Sequence, residues 1–188
     1  KHGVTAYGMS DGLIDGYILA LTEDQSGTIW AGGYGGLARF RDGRWQRIGL
    51  AQGLPAATVQ MIWTVRSGGL WIGSTVGVYQ WVPTEDRFEF VAPNVVRDLV
   101  KDASGAIWVT DNEVVFRRLG DVPSVSQLSV SDTAGGIGRD LLIDRQGNFW
   151  IGSGGQGLIF LRKDGGEAPK AFQRFRRRDG LGHDQIRT

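Results

Sequence analysis

The 188 residues carry 21 basic and 20 acidic side chains, for a net charge of +1, and 41% are hydrophobic. This is the composition of an ordinary globular chain, and its bulk electrostatics favours no polyanion such as nucleic acid. Cysteine is absent, which excludes a disulfide framework and thiolate metal sites, and no apolar run approaches the ~18 residues that a membrane span needs. Glycine is the outlier at 30 residues, about twice the usual share of roughly 7%.

In chain order, residues 4–7 read as a short strand ahead of Asp11-Gly12-Leu13. Residues 45–48 stand in the same way before Gly53-Leu54-Pro55, and residues 172–175 before Asp179-Gly180-Leu181. These are outer strands, each followed by a Gly-Leu crossing. The inner strands are expected at 17–23, 58–65, 95–101 and 137–143, where β-branched residues and Leu are bounded by turn residues. A third set is expected at 36–40, 77–81, 114–116 and 157–160. No window shows a convincing 3.6-residue apolar period, so helix content should be near zero.

Between the inner and third strands a pattern returns four times. It reads Asp24-Gln25-Ser26-Gly27-Thr28-Ile29-Trp30, then Val65-Arg66-Ser67-Gly68-Gly69-Leu70-Trp71. Asp102-Ala103-Ser104-Gly105-Ala106-Ile107-Trp108 and Asp144-Arg145-Gln146-Gly147-Asn148-Phe149-Trp150 follow. An Asp that caps its own turn, with a Gly that accepts positive φ, is hairpin chemistry. The apolar-Trp pair opens the next strand, where a large ring fills the gap between twisted sheets. Gly32, Gly73 and Gly152 lie two residues beyond three of the tryptophans, as a close backbone approach requires. The third copy departs with Thr110, and the second has Val65 in place of Asp.

Repeats of about 40 residues are the period of a propeller blade. The expected class is therefore all-β, with β-propeller blades of four antiparallel strands. Four blades are expected, at residues 12–52, 53–91, 92–131 and 132–179, with 1–11 an outer strand of a preceding blade and 180–188 the start of a following one. Those overhangs point to a segment of a larger ring, about seven-bladed within the usual range of 4–8. The alternatives are self-closure of four blades or two arcs meeting as a homodimer. Opening on Lys1 rather than Met, the chain is expected to be an excised or processed piece whose export signal or anchor lies elsewhere.

The phased units Gly53-Leu54-Pro55, Gly69-Leu70-Trp71-Ile72-Gly73-Ser74, Gly77-Val78 and Asp144 to Leu158 resemble the two-component regulator propeller repeat. The resemblance covers essentially the whole chain and is weakest in the third copy. It implies a sensor region of a bacterial signalling receptor, periplasmic or otherwise extracytoplasmic, tied to a membrane only through segments outside this chain. It also implies an oligosaccharide or other small ligand, no cofactor, and an output domain such as a histidine kinase located elsewhere. An enzyme similar to streptogramin lyase is the alternative, and a scaffold that binds only protein is another.

Trp30, Trp71, Trp108 and Trp150 are read as structural packing rather than sugar platforms, because they sit at a fixed position within the repeat. Specificity belongs to the loops after the tryptophan strands and to the crossing loops, which vary on a constant frame. Their polar candidates for ligand binding are Tyr17, Tyr34, Asp111, Asn112 and Gln156, with plain turn chemistry as the other reading of these loops. The run Arg174-Phe175-Arg176-Arg177-Arg178 is read as a solvated strand face. His2 and His183 lie at the chain ends, so neither metal binding nor acid–base catalysis is expected of them. No catalytic residue and no metal ligand is expected.

Overall fold

A computed structural model of the chain describes residues 3–65, 69–93, 96–111, 114–119, 127–129, 138–162 and 172–186. The chain divides into two compact units, Lys1–Val95 and Val96–Thr188. The first holds a sheet of β1 (Ile18–Glu23), β2 (Ile29–Gly33), β3 (Gly36–Arg41) and β4 (Arg44–Ile48). A second sheet follows, of β5 (Val59–Val65), β6 (Gly69–Ser74), β7 (Gly77–Val82) and β8 (Arg87–Ala92). The other unit holds β9 (Val96–Lys101), β10 (Ile107–Asp111), β11 (Val114–Leu119) and β12 (Gln127–Ser129). Its last sheet is β13 (Gly138–Ile143), β14 (Phe149–Ser153), β15 (Leu158–Leu161) and β16 (Phe172–Phe175).

Every sheet is an antiparallel meander in chain order, the blade topology of a β-propeller. All four tryptophans of the repeat lie in second strands, and register pairs Trp30 with Thr22, Trp71 with Trp63, Trp108 with Val100 and Trp150 with Leu142. The four inner strands share a register shift near one end, between Ile18 and Ala20, Val59 and Met61, Val96 and Asp98, and Gly138 and Asp140. An extra residue there bends the strand and re-aims the side chains on either side of it.

The core of the first unit gathers Trp30, Leu37, Ile48, Leu54, Val59, Ile72, Trp81 and Phe88 from both of its sheets. Trp30 meets Trp81 at 5.1 Å and Phe88 at 5.9 Å, both edge-on. In the second unit Trp108 meets Phe149 of the following sheet at 4.9 Å, within a cluster that includes Leu141, Ile151, Ile159 and Leu161.

Burial of the tryptophans is less uniform than the repeat suggests. Trp30 and Trp108 are buried, but Trp71 and Trp150 are only half-buried. Trp150 stacks on Phe175 and meets Phe160 at a tilt, both of its own sheet, whereas Trp30 and Trp108 are wedged against a following one.

Residues 4–7 form no strand. Tyr7 instead lays its ring over Phe40, at 5.3 Å, and Trp45, at 6.2 Å. The segment stays exposed, and it touches the first sheet through the Tyr7 ring. The crossings are single 3-10 turns at Met9–Asp11, Leu50–Gln52 and Arg177–Asp179, each capped by a side chain three residues on and closed by a left-handed glycine. With Pro83–Glu85 they are the only helical turns among the described residues.

Candidate functional site

Three of the four tryptophan turns share one hydrogen-bonded device. In the first, one oxygen of Asp24 accepts from the Ser26 amide and hydroxyl and from the Thr28 amide, and the other accepts the indole N–H of Trp30 at 2.7 Å. Asp102 takes Ser104, Ala106 and Trp108 in the same way, and Asp144 takes Gln146, Asn148 and Trp150. Burial works against ionisation of Asp102, yet the bonds from Ser104, Trp108 and Ala106 outweigh it and carry its carboxyl down to about 2. The carboxylate therefore does more than cap its turn. It also fixes the ring that opens the next strand.

At the opposite end of the first sheet, two glycines bring the candidate aromatics together. A Cβ on Gly33 would lie 2.0 Å from the Tyr17 carbonyl oxygen, and one on Gly35 would lie 2.5 Å from that of Asp15. Only glycine lets residues 15–17 lie down on the turn between β2 and β3. There the Tyr34 amide donates to the Tyr17 carbonyl at 3.2 Å. The two rings meet edge-on at 5.8 Å, and they are 75% and 60% exposed. A rigid backbone thus holds a two-ring aromatic surface open to solvent.

The other candidates are placed differently. Gln156 is half-buried, its amide donates to Ser153 Oγ at 2.8 Å, and its side-chain carbonyl accepts from the Arg176 guanidinium. That bond ties the turn to the strand end and occupies the group. Asp111 ends β10 opposite Val96, with its side chain outside the described residues, as is Asn112 altogether. The arginine run is not a uniformly solvated face. Arg174 and Arg176 are half-buried, while Arg177 and Arg178 are exposed. Burial and the nearby Arg176 charge push the Arg174 guanidinium pKa down. His183 is exposed, with Nδ1 accepting from the Gln185 amide at 2.9 Å, and His2 lies outside the described residues.

One feature of the first unit has no signature in the sequence. A cleft of about 270 Å³ opens beside the Asp24 turn, between the two sheets, lined by Thr28, Trp30, Arg39, Thr64, Trp81 and Asp86. Arg39 is buried there, its Nε donating to Gln46 at 3.0 Å and its two terminal nitrogens to Asp86 at 2.5 and 2.9 Å. Its guanidinium also lies over the Trp81 ring at 5.5 Å. The hydrogen bond from Arg39 outweighs burial and holds the Asp86 carboxyl below its usual range. This fork-to-fork pair cross-links the sheets.

Residues 12–35 match the family model described as "two component regulator propeller". No curated protein matches the chain. Among solved structures, it resembles the extracellular domain of a hybrid two component system from B. thetaiotaomicron, at 17% identity over 91% of this chain and 26% of that one, with a TM-score of 0.71. The extracellular domain of a one component system from the same organism matches at 18% identity over 90% and 24%, also at 0.71. Virginiamycin B lyase from Staphylococcus aureus matches at 13% identity over 84% and 55%, at 0.62. At these identities the likeness is one of fold, and the chain spans about a quarter of the length of the first two domains. No helix among the described residues is long and apolar enough to cross a membrane. The chain is thus an all-β assembly of four propeller-type sheets that carries a two component regulator propeller repeat at residues 12–35.

Proposed function

We propose that this chain is a ligand-binding sensor segment of an extracytoplasmic signalling receptor, and that the Tyr17–Tyr34 surface contacts the ligand. The observation that carries the reading is the pair itself: two exposed rings held 5.8 Å apart by glycine-dependent backbone contacts. Large rings left in water at a fixed angle offer a platform for the apolar face of a sugar ring, and their hydroxyls offer both donor and acceptor. An oligosaccharide fits that chemistry, and it binds to a preformed surface at little conformational cost. Asp111 and Asn112 are candidates of the second unit in their own right, as polar residues of a loop that varies between repeats, and Gln156 of that unit would act by holding its own turn.

The extracellular origin of two structural neighbours supports the compartment, and the repeat at residues 12–35 supports the receptor class. The chain acts by binding rather than by catalysis, and any kinase or cyclase output belongs to other segments.

The test is a thermal-shift screen of oligosaccharides against the chain and its Tyr17→Ala and Tyr34→Ala variants. A ligand that binds the folded state raises the melting temperature by mass action. Wild type should shift with at least one sugar, while the variants keep their own melting temperature and lose the shift. A sugar that stabilises both variants as well as wild type would move the site elsewhere. Turnover of a cyclic depsipeptide by the chain would replace the reading with an enzymatic one.

A further inference from the structure

We infer that the cleft between the first two sheets is a second binding site, which takes an uncharged polyhydroxy compound the size of one hexose ring. It lies at the end of the first sheet opposite Tyr17 and Tyr34, and it does not depend on the role proposed for that surface. Its wall is contributed by both sheets. Arg39 stands in β3 opposite Trp30. Its partner Asp86 comes from the β7–β8 connection, which has four residues, 83–86, where the β3–β4 connection has two, 42–43. Pro83 opens the longer connection as a 3-10 turn, and Asp86 closes it at a left-handed φ of 50°, which Asp tolerates better than most residues. The added length carries the carboxylate back to Arg39.

The pair keeps bonding capacity to spare. A guanidinium has five N–H donors, and Arg39 uses one on Gln46 and two on Asp86. None of the described residues accepts the other two, although the Arg39 side chain is only 10% exposed. Buried donors of this kind need acceptors. Each Asp86 oxygen accepts one bond from Arg39 and retains a further lone pair. Donor and acceptor therefore stand side by side on a surface that lines the cleft. Cross-linking alone does not account for this chemistry, because a buried ion pair gains little over an apolar pair of the same shape.

The rest of the lining selects the ligand class. Burial works against ionisation of Asp24, yet its hydrogen bonds from Ser26, Trp30 and Thr28 outweigh it and hold the carboxyl below its usual range. Arg41 also lines the cleft, and its charge acts on Asp86 together with that of Arg39. An anion would thus face two carboxylates and a cation two guanidinium groups, and like charges brought together disfavour both. A hydroxyl donates and accepts, so it matches either sign. Ser26 and Thr28, with hydroxyl oxygens 3.0 Å apart, and Thr64 from the facing sheet extend the same chemistry around the opening. The volume of about 270 Å³ falls below the ~300 Å³ at which drug-sized pockets begin, which suits one ring and not an oligosaccharide.

Nitrogen-15 NMR of the labelled chain reads this cleft through the Nε–H of Arg39 and the indole N–H of Trp30. The probes are myo-inositol, sorbitol, glucose and xylose, and at least one should shift both resonances saturably. The charged analogues glucuronate and glucosamine should shift neither resonance more than glucose does. Thr64→Phe fills the cleft from an exposed position and leaves the ion pair intact. It should keep its melting temperature and weaken binding about ten-fold or more, a difference of about 1.4 kcal/mol per factor of ten. Asp86→Asn keeps a residue that accepts the left-handed φ and should weaken binding several-fold. Silence of both resonances with all four probes, tighter binding of a charged analogue, or wild-type affinity in Thr64→Phe overturns the inference. A response that Tyr17→Ala abolishes and Thr64→Phe spares also overturns it, and leaves the aromatic surface as the sugar site. Binding in the cleft without any oligosaccharide response at Tyr17 supports it and rejects only the function proposed for that surface.

Discussion

Trp30 donates its indole N–H to Asp24 at 2.7 Å, six residues back along the chain. Trp108 with Asp102 and Trp150 with Asp144 repeat the bond at 3.0 Å. A buried indole N–H needs an acceptor, and an ionised carboxylate already held by its own turn provides one without further ordering. The second sheet has Val65 at this position, which offers no acceptor.

Asp24→Ala and Trp30→Phe should each cost about 1–3 kcal/mol, the range for leaving a buried polar group without its partner. The double variant should cost clearly less than the sum, because each change removes the same bond. Urea unfolding of the four proteins of the cycle measures the coupling. Strict additivity would show that the bond contributes nothing to stability.

Acid should weaken the second unit through Asp102. Its folded carboxyl titrates at about 2, below the ordinary value, so the folded state favours the ionised form. That contribution is fully present above the unfolded value of about 4 and is lost as pH falls toward 2. From the size of the shift it amounts to roughly 2 kcal/mol. Unfolding midpoints measured from about pH 6 downward should decline less steeply in Asp102→Asn than in wild type. Parallel curves would remove Asp102 from the account.

Tryptophan truncation should be unequal across the repeat. Trp30→Ala empties a site packed by Trp81 and Phe88 and should cost about 3–5 kcal/mol. Trp150→Ala removes a half-buried ring that touches only its own sheet among the contacts described, and it should cost visibly less. Chemical denaturation of both variants decides this, and equal losses would mean that Trp150 is covered in solution.

The crossing glycines should be less replaceable than ordinary turn glycines. Gly43 and Gly53 both have φ +77°, so alanine at either meets the left-handed penalty of about 1–2 kcal/mol. Gly43 has nothing near its missing Cβ, whereas at Gly53 that atom would lie 2.3 Å from the Phe88 carbonyl oxygen. Gly53→Ala should therefore lose a further ~1–3 kcal/mol from overpacking, and thermal melts of the two variants compare them directly.

What could be read from the residues alone was short in range. The Asp-to-Trp turns and the capped turns of the crossings depend on partners within about seven residues, and the strand order follows from hairpins between neighbours in sequence, so composition and spacing carry them. Residues 4–7 read as a strand but pair with none, and only the packed chain could reveal Tyr7 resting on Phe40 and Trp45 instead. The Arg39–Asp86 pair joins residues 47 apart, and the Asp98–Leu141 bond spans 43. Neither follows from any local pattern. The Tyr17–Tyr34 surface was half visible: the loops marked themselves by varying, but their meeting needed the glycines at 33 and 35 to admit the crossing chain. Turns are decided by the φ angles and hydrogen bonds of neighbouring residues, which the sequence determines directly. Burial, ion pairs and clefts are decided by which sheet lies against which, and that is a property of the packed structure.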